Sequence, residues 1–183
     1  SAGVNLDTYS EDNTSNSYTY DSNISVLDYE TVRFIDAGFK TFRKVNSAFG
    51  VIGQQCIFSV YMSAPTGVNV TVVLGWTGGG EETEVGGEAV VKSYVLTNTL
   101  TRYDVIAENT NGTDSLPRVS LESADTYPVD LVITKWQLED VTNKTDKSAT
   151  AYQKTIFSPT AGLLLPYKLS GAYSNPNTNG HNG

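Results

Sequence analysis

Apolar positions along this chain recur with a period of two, and almost nowhere with the 3.6-residue period of a helix. In the clearest run Cys56, Phe58, Val60 and Met62 fall on one side and Ile57, Ser59, Tyr61 and Ser63 on the other. That is the pattern of a strand with one buried face. The next run alternates Val68, Val70, Val72, Leu74 and Trp76 against Asn69, Thr71, Val73 and Gly75. With Ala64-Pro65-Thr66-Gly67 between them, the two runs predict a hairpin. Shorter runs predict strands over residues 24–27, 31–35 and 39–45, the middle one ending at Asp36-Ala37-Gly38. Further strands are predicted over residues 89–96, 101–107, 117–122 and 129–139, with Pro128 suited to the start of the last. That last strand is apolar on both faces. Trp136 is out of phase with Val129, Leu131 and Ile133 but in phase with Val132 and Leu138, which predicts a central strand or a bulge near Thr134.

Clusters of Gly, Asn, Asp, Ser and Pro separate these runs. About eight to ten short strands without helices predict an all-β fold, a two-sheet antiparallel β-sandwich of the jelly-roll kind. Residues 1–23 read as an irregular, Tyr-rich arm with room for one edge strand, residues 24–157 as the sandwich, and residues 158–183 as an extension and polar tail. The tail has linker composition near its end, and no internal repeat is present.

Composition narrows the chemistry. The 183 residues carry a formal net charge of −8, from 12 Lys plus Arg and 20 Asp plus Glu. That acidic balance argues against a protein that tracks nucleic-acid phosphates. One Cys and one His exclude an internal disulfide, a thiolate zinc site and a multi-histidine centre. No apolar run approaches the ~20 residues of a membrane-spanning helix. No P-loop, G-x-G-x-x-G or G-x-S-x-G motif occurs, so the chain is not expected to be an enzyme. Cys56 shares its face with Phe58 and Val60, which predicts a buried, inert thiol.

One set of motifs adds a family resemblance. Val132-Ile133-Thr134-Lys135-Trp136-Gln137-Leu138-Glu139, followed after a polar gap by Ala149-Thr150-Ala151-Tyr152-Gln153-Lys154-Thr155, resembles the ending of carbohydrate-binding-module-like jelly rolls in bacteriophage tail fibre, tailspike and other virion proteins. Phe58-Ser59-Val60-Tyr61 and the pair Leu96-Thr97 with Thr101-Arg102-Tyr103-Asp104-Val105 resemble upstream strands of that family, and Arg118-Val119-Ser120-Leu121 falls at its penultimate strand. The resemblance spans roughly residues 30–157. Leu100 stands where an aromatic is more usual, and Asp140-Val141 replaces the usual Gly after Gln-Leu-Glu, with a longer gap following. The resemblance implies a jelly roll in a virion, made in the bacterial cytoplasm and exposed on the particle, often as a homotrimer. Its expected partners are host surface polysaccharide and other virion proteins. The alternatives are a purely structural trimerisation, connector or decoration domain and, with least support, a polysaccharide-degrading enzyme.

A sugar presents apolar C–H faces and outward hydroxyls, so a glycan site wants aromatic rings beside planar hydrogen-bonding groups. Tyr61, Tyr94, Tyr103 and Tyr127, with Arg102 and Arg118 as donors, are the candidate ligand-binding residues. Trp76 and Trp136 are expected in the core or an interface. Gln137 and Glu139 are expected to tie the strand end to the following loop, and with Trp136, Thr150 and Tyr152 they make up the structural motif. Modules of this resemblance often carry a structural calcium, for which Glu81, Glu82 and Asp140 are the candidate oxygen ligands. The apolar stretch at Phe157, Leu163, Leu164 and Leu165 is expected to seek a partner surface, and His181 lies in the polar tail.

Overall fold

The structure, a computed structural model, describes residues 4–38, 40–44, 50–76 and 89–156. Ten strands account for its regular structure, and the described residues contain no helix: β1 (Tyr18–Tyr20), β2 (Ile24–Val26), β3 (Thr31–Phe34), β4 (Lys40–Lys44), β5 (Gln55–Ser63), β6 (Asn69–Trp76), β7 (Val90–Val95), β8 (Thr101–Glu108), β9 (Ser115–Ser123) and β10 (Val129–Asp140). They form two five-stranded sheets of order β1-β4-β9-β6-β7 and β2-β3-β10-β5-β8. Every pairing is antiparallel. The stretches of residues 77–88 and 157–165 singled out in the sequence, and the polar tail, lie outside the described residues.

The predicted hairpin of residues 56–63 and 68–76 does not form. Strand β5 sits between β10 and β8 in one sheet, and β6 between β9 and β7 in the other. Each strand has one face made wholly of large apolar side chains. Side by side, those faces would both need an external cover; on opposite sheets they cover each other. Residues 64–67 therefore bridge the two sheets. Gly67 has φ 83°, in the left-handed region that favours glycine.

The inner faces build one core. Phe34, Phe58, Val60, Met62, Leu131 and Trp136 enter from one sheet, and Phe42, Val70, Val72, Leu74 and Leu121 from the other. Trp76 plugs the end of β6. Cys56 is buried, and burial pushes its thiol up to about 12, which keeps it protonated and unreactive.

Strand β10 is both central and bulged. Its register against β5 shifts between Thr134 and Gln137. Before the shift Val129, Leu131 and Ile133 point inward; after it Trp136 and Leu138 do. The bulge coincides with a change of neighbour. Along β10, strand β3 covers only residues 129–132, and beyond it the N-terminal arm takes over. Trp136 N donates to Ser10 O (2.9 Å) and Leu6 N to Leu138 O (2.8 Å). Asn13 Nδ2 caps Ile133 O at the changeover (2.7 Å). The polar arm thus completes the backbone pairing that β3 leaves open.

A buried cation lies under the arm. Lys44 is fully buried, its ammonium 4.0 Å from the centre of the Tyr18 ring. Burial pushes the Lys44 pKa down to about 8, against the pull of the Asp7 and Asp12 charges. The unfolded chain, with an ordinary lysine near 10.5, binds more protons between those values. The Lys44 contribution to stability therefore rises with pH across that window, by roughly 3 kcal/mol. Burial raises the Cys56 thiol and the Tyr18 and Tyr152 hydroxyls, which lowers the stability of any variant that keeps them over the same range. The urea midpoint of the native chain is therefore expected to climb relative to that of Lys44→Met from pH 8 to pH 10. A difference between the two chains that stays constant or shrinks over this range would contradict the assignment.

Candidate functional site

The candidate site is the outer face of the sheet β2-β3-β10-β5-β8. Alternation along β5 turns Ser59 and Tyr61 outward, opposite the Phe58, Val60 and Met62 face. Tyr61 lies directly across from Arg102 of β8 on one side and Thr134 of β10 on the other. Arg102 Nη2 donates to Ser59 Oγ (2.9 Å) and Nη1 to Thr150 O (2.6 Å). Its guanidinium carbon stands 5.6 Å from the Tyr61 ring centre.

The strand β10 bulge adds a second cation. Lys135 has φ 55° and its ammonium lies 5.2 Å from the ring centre of Tyr61 and 5.8 Å from that of Tyr152. The two rings meet edge to face with centres 6.3 Å apart. Tyr61, Tyr152, Lys135 and Arg102 are all half-buried, so each keeps part of its surface toward water.

Tyr152 reaches this place because residues 150–155 run over the sheet. The fully buried Gln137 and Glu139 hold that segment. Gln137 Oε1 accepts from Gln153 N (2.8 Å) and its Nε2 donates to Thr150 O (3.3 Å). The Glu139 carboxylate accepts from Thr150 N (3.2 Å) and, at very short range, from Thr150 Oγ1. Thr155 N donates to Ser10 Oγ (2.8 Å), which ties the segment to the arm. The Tyr152 hydroxyl bonds Ser10 Oγ (2.6 Å) and donates to Glu11 (2.9 Å). Burial raises its pKa; the Ser10 bond opposes the shift and Glu11 adds to it. The ring is thus fixed by its own hydroxyl.

The sequence candidates divide among several places. Tyr61 and Arg102 come together on this outer face, beside Gln137, Glu139, Thr150 and Tyr152 of the strand-end motif. Tyr103 is buried between the sheets with its ring 4.8 Å from that of Tyr94, whose hydroxyl donates to Asp104 O (2.7 Å). Tyr127 precedes a cis Pro128 and packs against the core, its hydroxyl accepting from Ala124 N (3.1 Å). Arg118 is buried in β9 of the other sheet, its guanidinium over Gly75. Trp136 is inside the core. Sequence reasoning gave no binding role to Lys135 or Ser10. The phase break at Thr134 was the one available signal for Lys135; the arm residues gave none.

Of the calcium candidates, Glu81 and Glu82 lie outside the described residues. The Asp140 carboxylate is held by protein donors. One carboxylate oxygen accepts from Thr142 N and Oγ1 and the other from Gln54 Nε2. Burial opposes its charge, but these bonds and the Lys144 charge hold the Asp140 carboxyl below its ordinary value. Among the described residues no group of three or more His, Cys, Asp or Glu side chains is placed to hold a metal.

Comparison with known proteins identifies the fold class. The CBM22-1 xylan-binding domain from Paenibacillus barcinonensis Xyn10C superposes with a TM-score of 0.54 at 11% identity, covering 76% of this chain and 96% of that one. A CBM4 structure gives 0.51 at 13% identity, covering 68% and 94%. The tailspike protein 4 enzymatically active domain of bacteriophage CBA120 gives 0.49 at 8% identity, covering 75% of this chain and 21% of that one. No protein-family model matches the chain, and no curated protein does. The chain is a jelly-roll β-sandwich with the fold of carbohydrate-binding modules.

Proposed function

We propose that this domain is a non-catalytic glycan-binding module and that Tyr61, Tyr152, Arg102 and Lys135 form its contact surface. The observation carrying this reading is the half-exposed Tyr61–Tyr152 ring pair flanked by two long cationic donors on one sheet face. Rings supply an apolar wall for sugar C–H groups, and fixed donors read the hydroxyls around it. Neighbours of the same fold are themselves sugar-binding modules, one of them for xylan. In the finer reading the module sits on a virion, as a homotrimer beside other virion proteins, and grips host surface polysaccharide. Support for that setting is the order of motifs from Phe58-Ser59-Val60-Tyr61 to Thr150-Ala151-Tyr152.

The test is affinity electrophoresis of the purified chain through gels carrying polysaccharides, host polymers included. Retardation by at least one polymer is expected, and Tyr61→Ala is expected to weaken it by about tenfold or more. Retention by no polymer, or binding indifferent to Tyr61→Ala, would refute the reading.

A structural role is the second reading, favoured by one edge of the sandwich. Strand β7 ends its sheet and leaves Val91 50% and Val95 66% exposed, a liability unless something covers it. Sedimentation equilibrium is expected to show an oligomer that Val91→Lys with Val95→Lys converts to monomer; a monomeric native chain would dismiss this role.

A further inference from the structure

Resting on the glycan-binding reading, we infer that the ligand class is an acidic glycan, with a sugar carboxylate seated between Lys135 and the Tyr61 hydroxyl. Three observations meet there.

The first is unspent donor capacity. Among the described residues neither Lys135 nor Arg102 makes an ion pair. The Lys135 ammonium contacts only the two tyrosine rings, and the Tyr61 hydroxyl has no hydrogen-bond partner among the described residues. Two acids beside the patch are engaged by neutral donors, Glu11 by the Tyr152 hydroxyl and the buried Glu139 by Thr150, while Glu30, whose charge also reaches Tyr152, makes no ion pair with either cation. A half-exposed ammonium beside a free phenol is a set of donors lacking an acceptor. A carboxylate fills it better than a neutral hydroxyl, since a charge-assisted bond is roughly twice as strong.

The second is the backbone of Lys135. Its φ of 55° lies in the left-handed region, which is costly for a lysine and cheap for Gly or Asn. The bulge needs that conformation but not that side chain. A residue held in a strained backbone conformation can mark a binding site, and here the bulge sets the ammonium over both rings.

The third is contrast with the rest of the molecule. The chain carries a net charge of −8, so its general field repels polyanions. Two cations that make no ion pair among the described residues are a local exception, and both flank the Tyr61–Tyr152 ring pair.

The experiment measures binding of the full chain to three probes by isothermal titration: polygalacturonate, neutral xylan, and poly-glutamate as a polyanion without sugar. Polygalacturonate is expected to bind at least about tenfold more tightly than either control, and more weakly as salt rises. Lys135→Gln is expected to remove that preference and Lys135→Arg to restore it. Lys135→Asn, suited to the left-handed backbone, guards against a folding defect and is expected to behave as Lys135→Gln. Xylan binding that equals or exceeds polygalacturonate binding, is unchanged by Lys135→Gln and is lost in Tyr61→Ala would overturn the acidic class while leaving the glycan reading intact. Binding of no glycan would overturn both. Poly-glutamate binding equal to polygalacturonate would show bare charge attraction and overturn the sugar assignment.

Discussion

Trp136→Ala is expected to lower the unfolding free energy by about 3–5 kcal/mol, the largest loss of any single truncation in the core. The indole is 0% exposed and packs against three rings, stacked on Phe58 with centres 5.3 Å apart, edge to face with Tyr18 at 5.2 Å and tilted against Phe42 at 5.9 Å. Phe58 belongs to one sheet, and Phe42 and Tyr18 to the other, so the indole fills the gap between them. Alanine leaves a void that neither sheet can close, because each is fixed by its own ladder. Trp136→Phe keeps most of the volume and is expected to cost less. Urea denaturation with an unchanged m-value measures the loss. A cost below about 1 kcal/mol would mean that the sheets collapse onto the void and that the indole is not what sets their spacing.

Most of the fold was legible because a strand writes its burial into alternate residues. The run from Cys56 to Met62 announces β5 whatever its partners are. Pairing is another matter. Strand β5 bonds to β10 and β8, far along the chain, and local alternation carries no information about which sheet a strand joins. That is why two adjacent, well-patterned strands were expected as a hairpin. The bulge was legible because it breaks the period: Trp136 could share the inner face with Ile133 only if the strand slipped between them. The site was half legible. Tyr61 and Arg102 stood out by residue type and by phase. Lys135 sits where the phase is undefined, and the outcome for Tyr103 turned on which side of β8 faces the other sheet. The arm was least legible. Asn5, Asp7, Ser10 and Asn13 read as a polar lead-in, yet all four are buried, because the Asn5 and Asn13 amides and the Ser10 hydroxyl bond backbone groups and stand in for a missing strand. Polar side chains that bond backbone leave no hydrophobic signature.

Asn5→Ala tests that last point, and its expected effect is second in size. One side chain satisfies four groups: Nδ2 donates to Trp136 O (2.9 Å) and Gln153 O (2.8 Å), while Oδ1 accepts from Asp7 N (3.0 Å) and Leu138 N (3.1 Å). It is 1% exposed, so water cannot replace it without entering the interior. Leaving several buried groups unpaired is expected to cost about 2–4 kcal/mol, a large effect for the loss of one small amide. Asn5→Asp separates hydrogen bonding from packing. Its oxygens still accept from Asp7 N and Leu138 N, but face Trp136 O and Gln153 O with lone pairs instead of hydrogens. Asn5→Asp is therefore expected to be at least as damaging as Asn5→Ala although its volume is unchanged. The bond to Gln153 also anchors the segment that carries Tyr152 to the bulge that carries Lys135. Glycan affinity is accordingly expected to fall in Asn5→Ala at temperatures where the sandwich remains folded, with faster hydrogen exchange at the Leu138 and Gln153 amides. An Asn5→Ala chain within about 0.5 kcal/mol of native stability, with unchanged exchange at those amides, would show that the arm merely covers β10. The energetic link from arm to site would then be absent.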